Sequence, residues 1–381
     1  MNSIINRPLW LKNLENLWRK RPVIWLHGVR QVGKTSLAKM LDNYLYMNCD
    51  LPSVQRRLED PEAFYQSVEK GKIIIFDEIH RLSDPSIVLK IGADEYPDSK
   101  ILATGSSTLE ATTKFRDSLT GRKNSMHLPP VLWDECHQVF AINDLDRRLL
   151  YGGLPAILLS GKRDLSFYSE WIDSFIARDI QVLFNIRNRE GFIRLMHLLY
   201  RSSGNLIEYS QLAKLSGLTR PTVMTYLESL RIADNIFILP PYSGGGKKEI
   251  VARPKCYAFD TGFVAFVRGW NEIRDEDRGI LWEHLMLDNL RSAFPDKKIF
   301  YWRDKSNREI DFVIPHEDGL VDIYECKTNP DRISVIPIMA FRDLYPKGRN
   351  ICLSPFIKDG YTINIQGIRI EFTSSLQSYP T

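Results

Sequence analysis

Cysteine is scarce in this chain, and what there is shows no pattern. Cys49, Cys136, Cys256, Cys326 and Cys352 are odd in number and scattered, and no two have the close spacing of a zinc site. That argues against a disulfide-stapled scaffold or a cysteine-held zinc, and a reducing cytosol is the simplest expectation. An excess of one charge is also lacking. The 51 Lys and Arg against 47 Asp and Glu leave only +4. Global electrostatics therefore demand no nucleic-acid partner, although local basic patches are compatible with one. No apolar run approaches the ~20 residues of a membrane span. The opening stretch, with Arg7, Trp10, Lys12 and Glu15, has no apolar core of signal-peptide length. The expectation is a soluble cytoplasmic protein with no membrane partner. No internal repeat or low-complexity tract is visible. The 381 residues suffice for two or three domains with real cores.

The most informative stretch is Gly28-Val29-Arg30-Gln31-Val32-Gly33-Lys34-Thr35, followed by Ser36. It reads G-x-x-x-x-G-K-T. Glycines let a backbone curl until successive N–H groups point at phosphate oxygens. Lys34 adds a point charge at the outer phosphates, and the Thr35 hydroxyl is suited to Mg²⁺. The apolar run 22–27 predicts a buried strand before the loop, and the spacing of 35–41 predicts a helix after it. Such a helix would aim its positive end at the anion. Residues 28–36 are thus the expected ATP-binding segment.

A second apolar run, Lys72 to Phe76, ends in Asp77-Glu78. A strand apolar on both faces belongs inside a parallel sheet, whose ligands lie beyond the carboxyl ends of its strands. Asp77 then falls where a metal-bound triphosphate would lie, and Glu78 where an attacking water would lie. Lys100–Thr104 predicts another strand, running into Gly105-Ser106-Ser107. Its hydroxyls, Ser106 first, either sense the γ-phosphate or form an ordinary turn. Arg122, in Leu119-Thr120-Gly121-Arg122, is read as an arginine finger or as a solvated surface residue, with Arg116 as the substitute.

Residues 28–35, 73–80, 103–107 and 119–122, in that order, resemble the ATPase module of a prokaryotic family. Its members are AAA-type ATPases with a C-terminal DUF4143 domain. Tyr151-Gly152-Gly153-Leu154-Pro155 and Phe175-Ile176-Ala177-Arg178-Asp179-Ile180 are similar to that family's middle region. The resemblance implies an α/β P-loop (AAA-like) parallel-sheet domain with a helical lid, and an ATP- and Mg²⁺-dependent hydrolase. A self-assembling chain, with the finger acting within or between subunits, fits that expectation.

Four segments are expected: an ATPase core over 1–135, a helical lid or linker over 136–203, a winged helix over 204–262, and a nuclease-like domain over 263–381. The winged helix rests on two helices around the turn 216–219, then two strands flanking the loop Ser243–Lys248. Arg220, Thr222 and Thr225 would meet a duplex groove, with Lys247, Lys248 and Arg253 on phosphates. The second helix is poor in basic residues, so packing is the alternative use. At the C-terminal end, Glu283 lies on an amphipathic helix. Asp311 lies on one strand of a hairpin, and Glu325 and Lys327 lie on one face of the other. This arrangement is similar to the PD-(D/E)XK nuclease superfamily, in which carboxylates bind Mg²⁺ and a lysine orients water. Past Pro330 a helix over 335–345 and strands over 349–353 and 363–372 are expected. Two functions follow: an ATP-driven enzyme acting on DNA, or an ATP-gated switch or scaffold that binds partners without cutting DNA.

Overall fold

The computed structural model describes residues 7–105, 109, 113–181, 184, 186–244, 253–374 and 376. Ser106, Lys247 and Lys248 lie outside them.

The first sheet has five parallel strands: β1 Val23–His27, β2 Tyr44–Asn48, β3 Ile73–Asp77, β4 Ile101–Thr104 and β5 Lys123–His127. Their order is β2-β3-β4-β1-β5, so β4 separates the phosphate-loop strand from the acidic strand. Alternation along each strand feeds two cores. Ile24, Leu26, Ile75 and Leu102 face one, while Trp25, Ile74, Phe76 and Ala103 face the other. The helix after the loop spans only Lys34–Ala38, shorter than the spacing predicted. With under two turns its dipole is a minor contributor, and the loop's own N–H groups matter more.

The middle region begins with helices. Leu165–Phe175 continues into a π-helical turn, Ile176–Ile180. Arg189–Arg201, Tyr209–Ser216 and Arg220–Ile232 then pack on a small sheet of β6 Asn205–Leu206, β7 Ile236–Leu239 and β8 Lys255–Ala258, in the order β6-β8-β7. Arg148 and Asp260, each 1% exposed, pin this region together. Arg148 donates to the Val131 carbonyl at 2.8 Å and to Thr261, while Asp260 accepts the Gly153 N–H at 2.6 Å.

The C-terminal part opens on a 19-residue helix, Asp275–Ala293, with three acids in its first turn, where they complement the dipole. Six strands follow: β9 Phe300–Arg303, β10 Glu309–Pro315, β11 Val321–Cys326, β12 Asn350–Leu353, β13 Tyr361–Ile365 and β14 Ile368–Thr373. Their order is β13-β14-β12-β11-β10-β9. The single late strand expected over 363–372 is in fact a hairpin. It turns at Gln366-Gly367, both at positive φ, the geometry of a two-residue hairpin loop. The last helix stops at Arg342, short of the expected 345.

One apolar core runs through all three regions. It takes in Leu26 of the first sheet, Trp171, Phe259 and Phe263 of the middle, and Leu285, Phe312 and Tyr324 of the C-terminal part. Trp171 stacks on Phe259 with centroids 4.7 Å apart. The segment just after β7 also bonds to β9: Tyr242 N–H donates to the Tyr301 carbonyl at 2.6 Å, and Tyr301 N–H to that of Pro240 at 3.1 Å.

Candidate functional site

The phosphate loop needs conformations that most residues avoid. Gly28 has φ 139°, and a Cβ there would stand 2.4 Å from the Leu128 carbonyl oxygen. Gly33 has φ 105° and Gln31 φ 62°. The loop opens on a cavity of about 590 Å³, lined by Gly28–Gln31 and Gly33–Ser36 on one side. Val32 turns away into the core, and its carbonyl accepts from Arg7 at 3.4 Å. Lys34 Nζ donates to the Gly28 and Val29 carbonyls at 2.8 and 3.1 Å.

Asp77 lies behind Thr35. Its Oδ2 accepts from the Thr35 hydroxyl at 2.9 Å and from Tyr46 at 2.5 Å, and its Oδ1 accepts from Thr104. β4 thus contributes Thr104 to the carboxylate. Thr35 and Asp77 share one position at the phosphate end, a donor set that fits Mg²⁺ completed by phosphate and water oxygens. Glu78, at φ 56°, faces the cavity. Burial raises its carboxyl above the ordinary value, with Lys34 pulling it back. Burial likewise lowers Lys34, with Glu78 the largest opposing influence. His80 Nδ1 stands 3.3 Å from Glu78 Oε2, and burial pushes its imidazole down to about 4, so the ring is neutral.

Sequence reasoning missed the opposite wall. Phe140, Pro155, Ala156, Leu159 and Phe175 form its apolar part, and Arg178 and Asp179 of the π-helical turn its charged part. Asp179 lies 3.6 Å from Arg30 of the loop. The signal was present in 175–180, matched to a family but given no role; a π-helical turn often marks a functional site.

Arg122 is not a lining residue. It precedes β5, at the edge of the sheet opposite the phosphate loop, and its guanidinium is bonded to Asp94 and, at 3.3 Å, to the Ser118 carbonyl. Arg122 thus does not face this copy's own phosphate loop. Arg116 is exposed, 3.8 Å from Asp117.

The expected duplex-binding groups are largely engaged. Thr222 shares a hydrogen bond with Thr219 at 2.8 Å, and Thr225 donates to the Pro221 carbonyl at 3.2 Å. Arg220 lies over the Tyr209 ring at 5.9 Å, and Arg253 pairs with Glu208.

Glu283, Asp311, Glu325 and Lys327 do come together. Phe312 pairs with Tyr324, which sets Asp311 opposite Glu325 one step further. Lys327 Nζ reaches Asp311 at 3.2 Å and Glu325 at 2.6 Å, and the Cys326 N–H donates to Asp311 at 2.8 Å. The Glu325 Oε1 is buried and has no hydrogen-bond partner among the described residues. Glu283 is drawn elsewhere: Lys255 of β8 sits 3.0 Å from it and 2.6 Å from Glu309, and Tyr257 donates to it. Among the described residues no three His, Cys, Asp or Glu side chains gather to hold a metal ion. The expected Mg²⁺ set of Glu283, Asp311 and Glu325 therefore does not fit as arranged here.

Burial, reinforced by Asp311, pushes the Glu325 carboxyl up to about 8. Between its ordinary 4.5 and about 8 the folded chain holds a proton that the unfolded chain lacks. This contribution is full below pH 4.5 and is lost as pH rises through 8. Melting temperature should fall between about pH 5 and 9, and Glu325→Gln should flatten that slope. Equal slopes in scanning calorimetry would contradict the assignment.

With this geometry in place, comparison with known proteins gives the class. Residues 20–137 match an AAA domain, and residues 278–356 match DUF4143, a domain of unknown function. The chain is an AAA-domain protein with a C-terminal DUF4143 domain. Residues 142–274, which include the far wall of the cavity except Phe140, match a further domain of unknown function, DUF8612. Among particular relatives, the uncharacterized protein Rv2008c of Mycobacterium tuberculosis is 25% identical over 311 residues, covering 79% of this chain and 69% of that one. The uncharacterized protein MJ1637 of Methanocaldococcus jannaschii is 24% identical over 293 residues, covering 62% and 60%. The solved Walker-type ATPase PABY2304 of Pyrococcus abyssi is similar at 17% identity and TM-score 0.45, over 69% of this chain and 96% of that one. No helix of the described residues is long and apolar enough to cross a membrane.

Proposed function

We propose that the chain binds and hydrolyses ATP in the cavity between the phosphate loop and the middle region, and works as an ATP-gated switch. The observation that carries this reading is the cavity of about 590 Å³ with Lys34, Thr35 and Glu78 on one wall and Arg178 and Asp179 on the other. Lys34 would leave the loop carbonyls for the outer phosphates. Mg²⁺, held by Thr35 and through water by Asp77, would supply charge neutralisation at the β- and γ-phosphates. Glu78 orients the attacking water and takes its proton as the oxygen bonds to the γ-phosphorus and the β–γ bridge breaks. Its raised basicity suits that role. Because the far wall belongs to the middle region, gain or loss of the γ-phosphate alters the contact between the two regions.

The nucleic-acid reading keeps one specific support. The order helix, strand, helix, helix, strand, strand over 189–258 is compatible with a winged helix, and the helix, β9–β11, helix and β12 that follow are compatible with a nuclease-like fold. The engaged Arg253, Thr222 and Thr225, and the lysine-filled carboxylate cluster, favour the switch. Purified chain given MgATP should release phosphate, and given plasmid with Mn²⁺ should leave it uncut. No phosphate release, or cutting abolished by Asp311→Ala, would overturn the reading.

Arg122 acts on a neighbouring copy in this proposal. Arg122→Ala and Glu78→Gln should each be inactive alone. A 1:1 mixture should regain activity at about a quarter of head-to-tail interfaces, those pairing an intact Glu78 with an intact Arg122. A mixture as inactive as its parts would rule out action between copies.

A further inference from the structure

Two charged residues face each other across the nucleotide cavity without a hydrogen bond between them. Arg30 of the phosphate loop and Asp179 of the π-helical turn are 21% and 22% exposed, with Nη1 and Oδ2 3.6 Å apart. Arg30 Nε and Nη1 and Asp179 Oδ2 are buried atoms with no hydrogen-bond partner among the described residues. Leaving them so is costly, and a phosphate oxygen entering beside Arg30 would accept from its free donors. The middle region also holds Arg30 by its backbone: Trp171 Nε1, on the helix leading into the turn, donates to the Arg30 carbonyl at 3.2 Å.

The neighbours of Asp179 put it at the outer-phosphate end of the cavity. Burial raises its carboxyl above the ordinary value, and Arg30 first, then Lys34, Arg178 and Arg81 pull it back. Arg30 and Lys34 are the cations of the loop itself, and Lys34 is the one that outer phosphates would meet. Glu78, which the hydrolysis reading assigns to the attacking water, has Asp179 among the anions that raise its own carboxyl. The middle region thus presents to the loop an anion of its own, on the side where a γ-phosphate would lie.

We propose that Asp179 sets the preference of the site between nucleotides: its carboxylate stands in for the γ-phosphate beside Arg30, so ADP binds with Asp179 in place and ATP binds only by displacing it. This rests on the ATPase reading and deepens it, since it names the contact that the γ-phosphate breaks. When ATP arrives, Arg30 exchanges the carboxylate for a phosphate oxygen, a more highly charged acceptor that can satisfy Nε and Nη1. The two anions do not share the site. At ~4 Å they repel by more than thermal energy even at an effective dielectric constant of about 20. Once the γ-phosphate has left, the carboxylate returns to Arg30. Because Asp179 belongs to the middle region, the position of that wall follows the state of the nucleotide.

The test is calorimetric titration of the full chain with MgADP and with a non-hydrolysable MgATP analogue whose β–γ bridge is an imide. Asp179→Asn should bind the analogue at least about tenfold more tightly, because the amide keeps the shape and removes the like charge. Its affinity for ADP should stay within about twofold of wild type, so the ratio of the two affinities is the readout that a merely structural role would not move. Asp179→Glu, which keeps the charge, should stay close to the wild-type ratio. If Asp179→Asn is insoluble, Asp179→Ser is read by the same ratio. In wild type, backbone hydrogen exchange over 171–181 should rise with the analogue and not with ADP. An unchanged ratio in the folded variant, or equal exchange with both nucleotides, would overturn the role given to Asp179 and leave the ATPase reading standing. Wild type that binds neither nucleotide would sink both.

Discussion

Replacing Lys34 by alanine should weaken MgATP binding by roughly 30- to 150-fold, or about 2–3 kcal/mol, the usual loss when one member of a desolvated charge pair is removed. Lys34 lies in the cavity with its ammonium on two loop carbonyls, at 2.8 and 3.1 Å from Gly28 and Val29. Those are ordinary neutral acceptors, and a triphosphate offers stronger, charged ones. The loss should be larger for ATP than for AMP, because the lysine reaches the outer phosphates. Calorimetry on both nucleotides checks this. Wild-type affinity in the variant, or an equal loss for AMP, would contradict the loop's assigned role.

Glu78→Gln should abolish turnover and leave ATP bound. The amide matches the carboxylate in shape but accepts no proton, so kcat should fall by about 10²- to 10⁴-fold with affinity nearly unchanged. The pH profile adds a sign. Burial raises the Glu78 carboxyl above its ordinary value, so wild-type turnover should climb with pH later than an exposed glutamate would dictate. The residual rate of the variant should lack that limb. Rapid phosphate release by Glu78→Gln would show that another group positions the water. His80, 3.3 Å away and neutral, is the nearest alternative.

The phosphate end of the site was legible because its parts are local. Residues 28–36 form one continuous bend, and Asp77-Glu78 ends one strand whose apolar run is unmistakable. The far wall was not legible. Asp179 meets Arg30 across 149 positions of chain, and only the packed helices bring them to 3.6 Å. Lys255 posed the same difficulty. In sequence it simply opens a short strand, and no nearby residue marks it as a partner of two distant glutamates. Packed, it is 5% exposed between Glu283 and Glu309. Arg122 could not be placed from sequence either: it was read as a finger or a surface residue, and only the parallel register, which puts it at the amino ends of the strands and away from this copy's phosphate loop, separates action within a copy from action between copies. The late hairpin was read as one strand because Ile363, Ile365, Ile368, Ile370 and Phe372 keep apolar and polar residues alternating on both sides of Gln366-Gly367, and the paired positive φ angles at 366–367 reveal the reversal.

Three family segments follow one another along this polypeptide like separable beads, yet Leu26, Trp171, Phe263, Leu285 and Phe312 line a single interior. Swapping any one segment for a distant relative's would set ill-matched aromatic surfaces against each other, at a cost felt in all three. Such modules can diverge only in step, so the pairing of this ATPase with this C-terminal partner is a matter of shared anatomy more than of tethering.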